Sequence, residues 1–194
     1  MLEITDIIGI VAFAISGFII GVKNGLDLLG IIISAFLTAL GGGIIRDVIA
    51  DREIYAFTDI LPGILVLLVV LIGIYFKFHR FDFEKNRLFL LSDSIGLVSF
   101  AISGAIVGEM KGFNIFGVAT LALITAVGGG MFRDMLINHI PFILKEKFYG
   151  SIAILVALLV YFLPNDFFYI LTIFIVGVFL RIIAHIRNWQ LPKI

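Results

Sequence analysis

The 194 residues include no cysteine, which excludes disulfides, thiolate nucleophiles and cysteine metal sites together. Charge is scarce too: 14% of residues are charged, against about 25% in a typical soluble domain. The formal net charge is zero, from 14 basic and 14 acidic side chains, so no global field favours nucleic acid or an acidic partner. His79, His139 and His185 fall at predicted helix ends or loops without metal-ligand spacing, as surface histidines do. There is no HExxH motif, nucleophile set or intramembrane His/Glu cluster, which argues against an enzyme. The opening Met-Leu-Glu-Ile-Thr-Asp lacks the basic segment of a signal peptide, so the first apolar run is expected to be a retained helix.

What the chain does have is apolar surface, at 61% hydrophobic residues. A spanning helix needs about 20 mostly apolar residues. Windows of that length predict seven spans, near 4–22, 28–48, 59–76, 91–108, 114–137, 147–163 and 167–186. Pro164-Asn165-Asp166 is a turn signal that divides the last long apolar stretch into two of these. The expected fold is therefore an all-α polytopic membrane protein. With seven spans the termini lie on opposite sides, and the positive-inside rule chooses the orientation. An N-out arrangement puts Lys23, Lys77, Arg80, Lys85, Arg87, Lys145, Lys147, Arg181, Arg187 and Lys193 inside and only Arg52 and Lys111 outside. This predicts a plasma-membrane protein with a cytoplasmic C-terminus. The stretch 77–87 is expected to be an inner loop, solvated or touching anionic lipid, and many of the Phe residues to face lipid.

Compared with itself, the chain aligns residues 5–63 with 92–150 without a gap, at an offset of 134 − 47 = 87. TDIIGIVAFAISGFIIG matches SDSIGLVSFAISGAIVG, and TALGGGIIRD matches TAVGGGMFRD. Shared hydrophobicity does not produce this match, because loop glycines coincide as well as helix faces. Three spans per half is an odd number, so the second copy enters the membrane upside down. Two inverted three-helix repeats and a C-terminal helix result: 1–87 with the inner loop, 88–164, and 165–194 with a tail. Inverted repeats place solute and ion sites at their interface, near paired glycine-interrupted segments.

Those segments are Gly41-Gly42-Gly43 and Gly128-Gly129-Gly130, inside the second and fifth spans. Each glycine costs about 0.8–1 kcal/mol of helix propensity relative to alanine, so a triplet predicts a kink or an unwound turn lining a cavity. The alternative is that the small residues let two helices approach closely. One turn later come Arg46-Asp47 and Arg133-Asp134, charges at membrane depth that need partners or water. Helix neighbours do not face each other, which predicts Asp6–Arg46 and Asp93–Arg133 contacts and leaves Asp47 and Asp134 to face a cavity or cap a helix. Asp6 and Asp93 also have a local reading, since Thr5-Asp6 and Ser92-Asp93 open apolar helices and suit their positive ends. Ser16 and Ser103, with neighbouring glycines, read first as tight packing and second as groups touching a permeating ion. Thr38 and Thr125 are candidate pore-liners. Spans three, six and seven are almost free of polar side chains and read as scaffold, leaving one, two, four and five to enclose a pathway.

The doubled GGGxxRD motif in tandem three-helix units, followed by a seventh helix, resembles the prokaryotic branch of the trimeric intracellular cation (TRIC) channel family, whose tandem unit is also called a glycine transporter domain. The resemblance covers nearly the whole chain. It implies a homotrimer with a pore in every protomer, bent at Gly41–Gly43 and Gly128–Gly130 and shaped or gated by Arg46, Asp47, Arg133 and Asp134. It implies passage of monovalent cations, chiefly potassium bound only transiently, with no cofactor. From the residues themselves two functions remain open. A channel is favoured by a continuous set of small, polar and broken-helix positions, although the chain has no TVGYG filter. A carrier for glycine or another small zwitterion would use an arginine for the carboxylate and an aspartate for the amine.

Overall fold

The computed structural model describes residues 1–76, 82–145, 148–187 and 189, and these are helical throughout with short connections. The helices are α1 (Leu2–Lys23), α2 (Leu28–Ile49), α3 (Tyr55–Thr58), α4 (Leu61–Tyr75), α5 (Asp82–Met110), α6 (Ile115–Leu136), α7 (Phe142–Lys145), α8 (Tyr149–Phe162) and α9 (Phe167–Ile186). Five of them, α1, α2, α5, α6 and α9, are long and apolar enough to cross a membrane; α4 and α8 are apolar but shorter. Aliphatic and aromatic side chains such as Leu67, Leu71, Phe168 and Phe179 point outwards, the reverse of a soluble surface and suited to lipid.

The repeat is visible in local chemistry. Asp27 caps α2 by accepting from the Gly30 amide at 2.7 Å, and Asn114, 87 residues on, caps α6 by accepting from the Gly117 amide at 2.9 Å. The turns before these caps use Gly25 and Gly112 at φ +68° and +70°, a backbone region that favours glycine. Two residues past the ends of α2 and α6 stand left-handed residues, Asp51 and Asn138, which are residue types that tolerate it.

Two expectations about helix starts are corrected. Asp6 and Asp93 do not open their helices: α1 begins at Leu2 and α5 at Asp82, so neither aspartate sits among the unpaired amides that a cap would satisfy. α5 starts well before the predicted span because Glu84, Lys85 and Arg87 are good helix formers and carry the helix past the apolar segment. Residues 82–87 are thus helix rather than loop, whereas Lys77, His79 and Arg80 lie outside the described residues.

The core is a four-helix arrangement in which α1 packs on α5, α2 on α6, and each of these pairs on the other, with α4, α8 and α9 outside. The equivalent helices run antiparallel. Gly9 faces Phe100 while Gly96 faces Phe13, and the two rings meet at 5.3 Å between centroids. The order along α1 is reversed along α5. The same holds for α2 and α6, where Gly42 lies against the Thr125 carbonyl and Gly129 against the Thr38 carbonyl. A Cβ at either glycine would overlap the opposing backbone. Helical structure continues through both triplets, so the expected unwound turn is absent. At Gly42 and Gly129 contact between backbones outweighs the propensity cost, as the close-approach reading expects, while Gly43 borders a pocket.

Candidate functional site

Arg46 lies in the last turn of α2, where the helix dipole favours a cation. Its Nη1 donates to Asp6 Oδ1 of α1 at 2.5 Å and its Nε to Asp47 Oδ1 at 2.9 Å. Ser103 of α5 joins them: its hydroxyl accepts from Arg46 Nη1 and donates to Asp6 Oδ1 at 2.6 Å. Asp47 Oδ2 accepts the Tyr55 amide at 3.2 Å, satisfying the first residue of α3. The pseudo-symmetric network has Arg133 Nη1 donating to Asp93 Oδ1 at 2.9 Å and Nε to Asp134 Oδ1 at 2.9 Å. Ser16 of α1 accepts from Arg133 Nη1 at 2.6 Å and donates to Asp93 Oδ1 at 3.3 Å. Every one of these eight residues is at most 5% exposed.

Each arginine was expected to pair away from its own aspartate; it does both. The guanidinium presents five donors in a fork, so Nε reaches the adjacent carboxylate while Nη1 crosses to the neighbouring helix. Removing one member of such a buried pair costs about 3–5 kcal/mol, because a charge is left unpaired. Ser16 and Ser103 are more than packing residues. Each belongs to the repeat opposite the ion pair it completes, and together they tie the two halves across the α1–α5 contact. Asp6 and Ser16 are ten residues apart on α1, which puts the networks about 15 Å apart along that helix.

Thr38 and Thr125 are fully buried, and their hydroxyls donate to the Ser34 and Leu121 carbonyls of their own helices at 2.6 Å each. The structure places them at the α2–α6 crossing, together with the glycine triplets.

A recess opens toward each network. One, of about 530 Å³, is lined by Glu3, Asp6, Arg52, Glu53 and Tyr55. A narrower pocket behind it, about the size of one water, is bounded by Asp6, Gly43, Arg46, Asp47 and Pro62. The other recess, about 290 Å³, is lined by Lys23, Phe89, Asp93, Arg181 and His185. Tyr55 is pushed above its ordinary phenol value by burial and by the nearby carboxylates of Asp59, Asp6 and Glu3.

Reading spans six and seven as scaffold misses Arg181 at the second recess and Tyr149, on which it stacks. Arg181 of α9 is 2% exposed and stacks on Tyr149 of α8, with its Cζ 4.8 Å from the ring centroid. Arg133 similarly lies over Phe89 at 5.1 Å. A signal for Arg181 was present: Ile170, Ile173, Gly177, Arg181 and Ala184 form one buried stripe at helical spacing. His185, exposed as expected of a surface histidine, borders the same recess.

The family model described as glycine transporter matches residues 3–80 and 90–165. The UPF0126 membrane protein YvgT of Bacillus subtilis is 36% identical over 98% of this chain and 95% of its own length. The UPF0126 inner membrane protein YadS of Escherichia coli K12 is 32% identical over 77% of this chain and 72% of its own. Among solved structures, a prokaryotic TRIC channel crystallised in 0.5 M KCl superposes with a TM-score of 0.89 at 30% identity, covering 98% of both chains. A second, solved as a structural basis for conductance through TRIC cation channels, gives 0.85 at 36% identity, covering 99% of this chain and 96% of its own. On these matches, and on the doubled glycine–arginine–aspartate geometry, the chain is a multi-pass membrane protein that belongs to the prokaryotic TRIC channel family.

Proposed function

We propose that this protein is a channel for monovalent cations, mainly potassium, with a pore inside each protomer enclosed by α1, α2, α5 and α6. The observation that carries this reading is the pair of Arg–Asp networks about 15 Å apart, each with an open recess reaching its aspartate, Asp6 or Asp93. Each network combines one arginine with two aspartates, a formal charge of 1 − 2 = −1. That answers the difficulty that bare arginines would repel cations. Gly41–Gly43 and Gly128–Gly130 set the closest approach of the two central helices, so a small change in their crossing would widen or seal the path. Arg46, Asp47, Asp6, Arg133, Asp134 and Asp93 are the gating charges, with Ser16 and Ser103 beside them and Thr38 and Thr125 at the narrowest level. With no TVGYG filter, selectivity for potassium over sodium is modest and is set by water, carbonyls and carboxylates.

The chain crosses the membrane seven times, α4 and α8 being thin spans of about 22 and 21 Å. It is divided as 1–87, 88–164 and 165–194, with two inverted repeats; the antiparallel run of α1 against α5 and α2 against α6 supports this. It sits in the plasma membrane with the N-terminus outside, surrounded by lipid, as a homotrimer. It is not an enzyme.

A carrier for glycine or another small zwitterion, the alternative reading, would need an arginine available for a carboxylate. Both arginines instead hold aspartates and serines, which favours the channel. The test is purified protein in planar bilayers under a KCl gradient, beside labelled glycine uptake into liposomes. Unitary currents reversing near the potassium potential are expected. Saturable glycine uptake without such currents would refute the proposal.

A further inference from the structure

The two networks are chemically alike but differ in what covers them. At the first, Pro62 lies in the first turn of α4 and borders the narrow pocket together with Gly43. A Cβ built on Gly43 meets nothing nearer than an Arg46 nitrogen at 3.9 Å. At the second, the residue equivalent to Pro62 is Tyr149, since 62 + 87 = 149. It is 2% exposed, and its hydroxyl lies 3.7 Å from the Cβ position of Gly130, the counterpart of Gly43. The phenol thus stands where the first network has a cavity. Arg181 presses on the other face of this arrangement, stacked on the Tyr149 ring while also lining the recess beside Asp93. The helix that supplies it, α9, follows the second repeat and has no counterpart after the first among the described residues. Gly177 holds α9 close, its Cβ position lying 3.0 Å from both Val98 of α5 and Val156 of α8.

We infer that Tyr149 and Arg181 form a latch that closes the pathway at the Asp93 end alone, while the Asp6 end stays hydrated in the same conformation. Resting on the channel reading, this makes the Asp93 end the gate and the Asp6 end a fixed mouth. The pseudo-symmetry of the repeats then does not extend to gating: a symmetric exchange of open ends, as an alternating carrier requires, finds no second stacked Tyr–Arg pair among the described residues at the Asp6 end, where Arg52 and Tyr55 border an open recess. Opening requires Arg181 to leave the Tyr149 ring. Stacking of a desolvated guanidinium on an aromatic face is attractive, and a displacement of α9 relative to α8 breaks it. Arg181 and Tyr149 are positioning residues here, acting on the path rather than on the ion.

The absence of cysteine makes the test direct, since a single introduced thiol is the only one present. Gly43→Cys and Gly130→Cys place thiols at equivalent points of the two ends, at positions where a Cβ has ordinary room. In nanodiscs, with both faces accessible, reaction with a small cationic methanethiosulfonate is followed by intact mass. The G43C thiol is expected to react at least tenfold faster than the G130C thiol. Adding Arg181→Ala or Tyr149→Leu to Gly130→Cys should raise its rate at least tenfold, whereas the same changes leave Gly43→Cys within about twofold. Arg181→Lys, which keeps a cation over the ring, should restore slow labelling; a general loosening of the fold would not be reversed this way.

Equal rates for the two thiols in the otherwise unaltered chain would overturn the latch, and this comparison needs no latch variant to fold. An unchanged G130C rate in a well-folded Arg181→Ala protein would overturn it equally. Labelling does not depend on conduction. Bilayer currents with equal labelling therefore refute the latch and leave the channel, whereas asymmetric labelling beside saturable glycine uptake without currents refutes the channel and leaves only the difference in access between the two ends.

Discussion

Replacing the triplet glycines one at a time by alanine should give effects of opposite sign within each triplet. At Gly42 the new methyl overlaps the Thr125 carbonyl, and at Gly129 the Thr38 carbonyl. These obstacles are backbone and cannot rotate aside, so the crossing of α2 and α6 must widen. Overpacking of this kind costs about 1–3 kcal/mol, and a backbone clash belongs at the upper end. The gain in helix propensity from Gly to Ala offsets about 1 kcal/mol, leaving a net loss of about 2 kcal/mol. At Gly43 and Gly130 the nearest neighbours stand at 3.9 and 3.6 Å, which is ordinary contact, and the same propensity gain stabilises by up to about 1 kcal/mol. Gly41 meets the Phe132 ring at 2.6 Å, a side chain 39% exposed and able to turn away, and the Gly129 Cα at an ordinary 3.6 Å, so its effect should be near zero. For a chain of this length each kcal/mol corresponds to about 2–4 °C in Tm. Gly42→Ala and Gly129→Ala should therefore melt about 4–8 °C lower, and Gly43→Ala and Gly130→Ala up to about 4 °C higher. The double variant at 42 and 129 should lose less than the sum, because one widening relieves both clashes. The assay is thermal unfolding of the purified protein in detergent, followed by size-exclusion after heating. If all the substitutions lowered Tm alike, as a requirement for flexible backbone predicts, the close-approach account of the triplets would be wrong.

Two further outcomes follow from the same geometry. Ser103→Ala removes hydrogen bonds to charged groups, each worth about 1.5–3 kcal/mol, and double-mutant cycles should couple it to Asp6 of the opposite repeat by more than about 0.5 kcal/mol but not to Asp93. Coupling to Asp93 instead would contradict the crossed arrangement. Asp27→Ala and Asn114→Ala each delete a side-chain cap on equivalent helices and should cost about 1 kcal/mol apiece; thermal melts showing only one of them to matter would mean that the repeats do not share this device.

Several site residues were legible because their signal is local or periodic. Asp6, Arg46, Asp93 and Arg133 stand out as charges in apolar segments, and the offset of 87 places each pair in the same relation. That Asp6 reaches Arg46 follows from the helical hairpin alone, since two consecutive antiparallel helices bring the start of one near the end of the other. The unwound triplet was a reasonable local inference that failed because its deciding term is not local. Glycine's propensity cost is a property of one helix, while the contact that offsets it belongs to α2 and α6 together.

Other features needed the assembled molecule. No spacing in the chain says that Ser103 completes the ion pair of the first repeat and Ser16 that of the second; the exchange depends on α1 and α5 lying antiparallel and in a particular register. Nor does the alignment of Pro62 with Tyr149 reveal that one leaves a cavity and the other fills it, because that depends on the phenol's direction against Gly130. Hydropathy, repeat and buried charge by themselves determined a membrane-embedded, doubled helical chain with two equivalent Arg–Asp centres, since each rests on the free energy of single segments in lipid. The tertiary structure alone decided how the halves are tied and why their ends differ, because those outcomes depend on contacts between segments far apart in sequence.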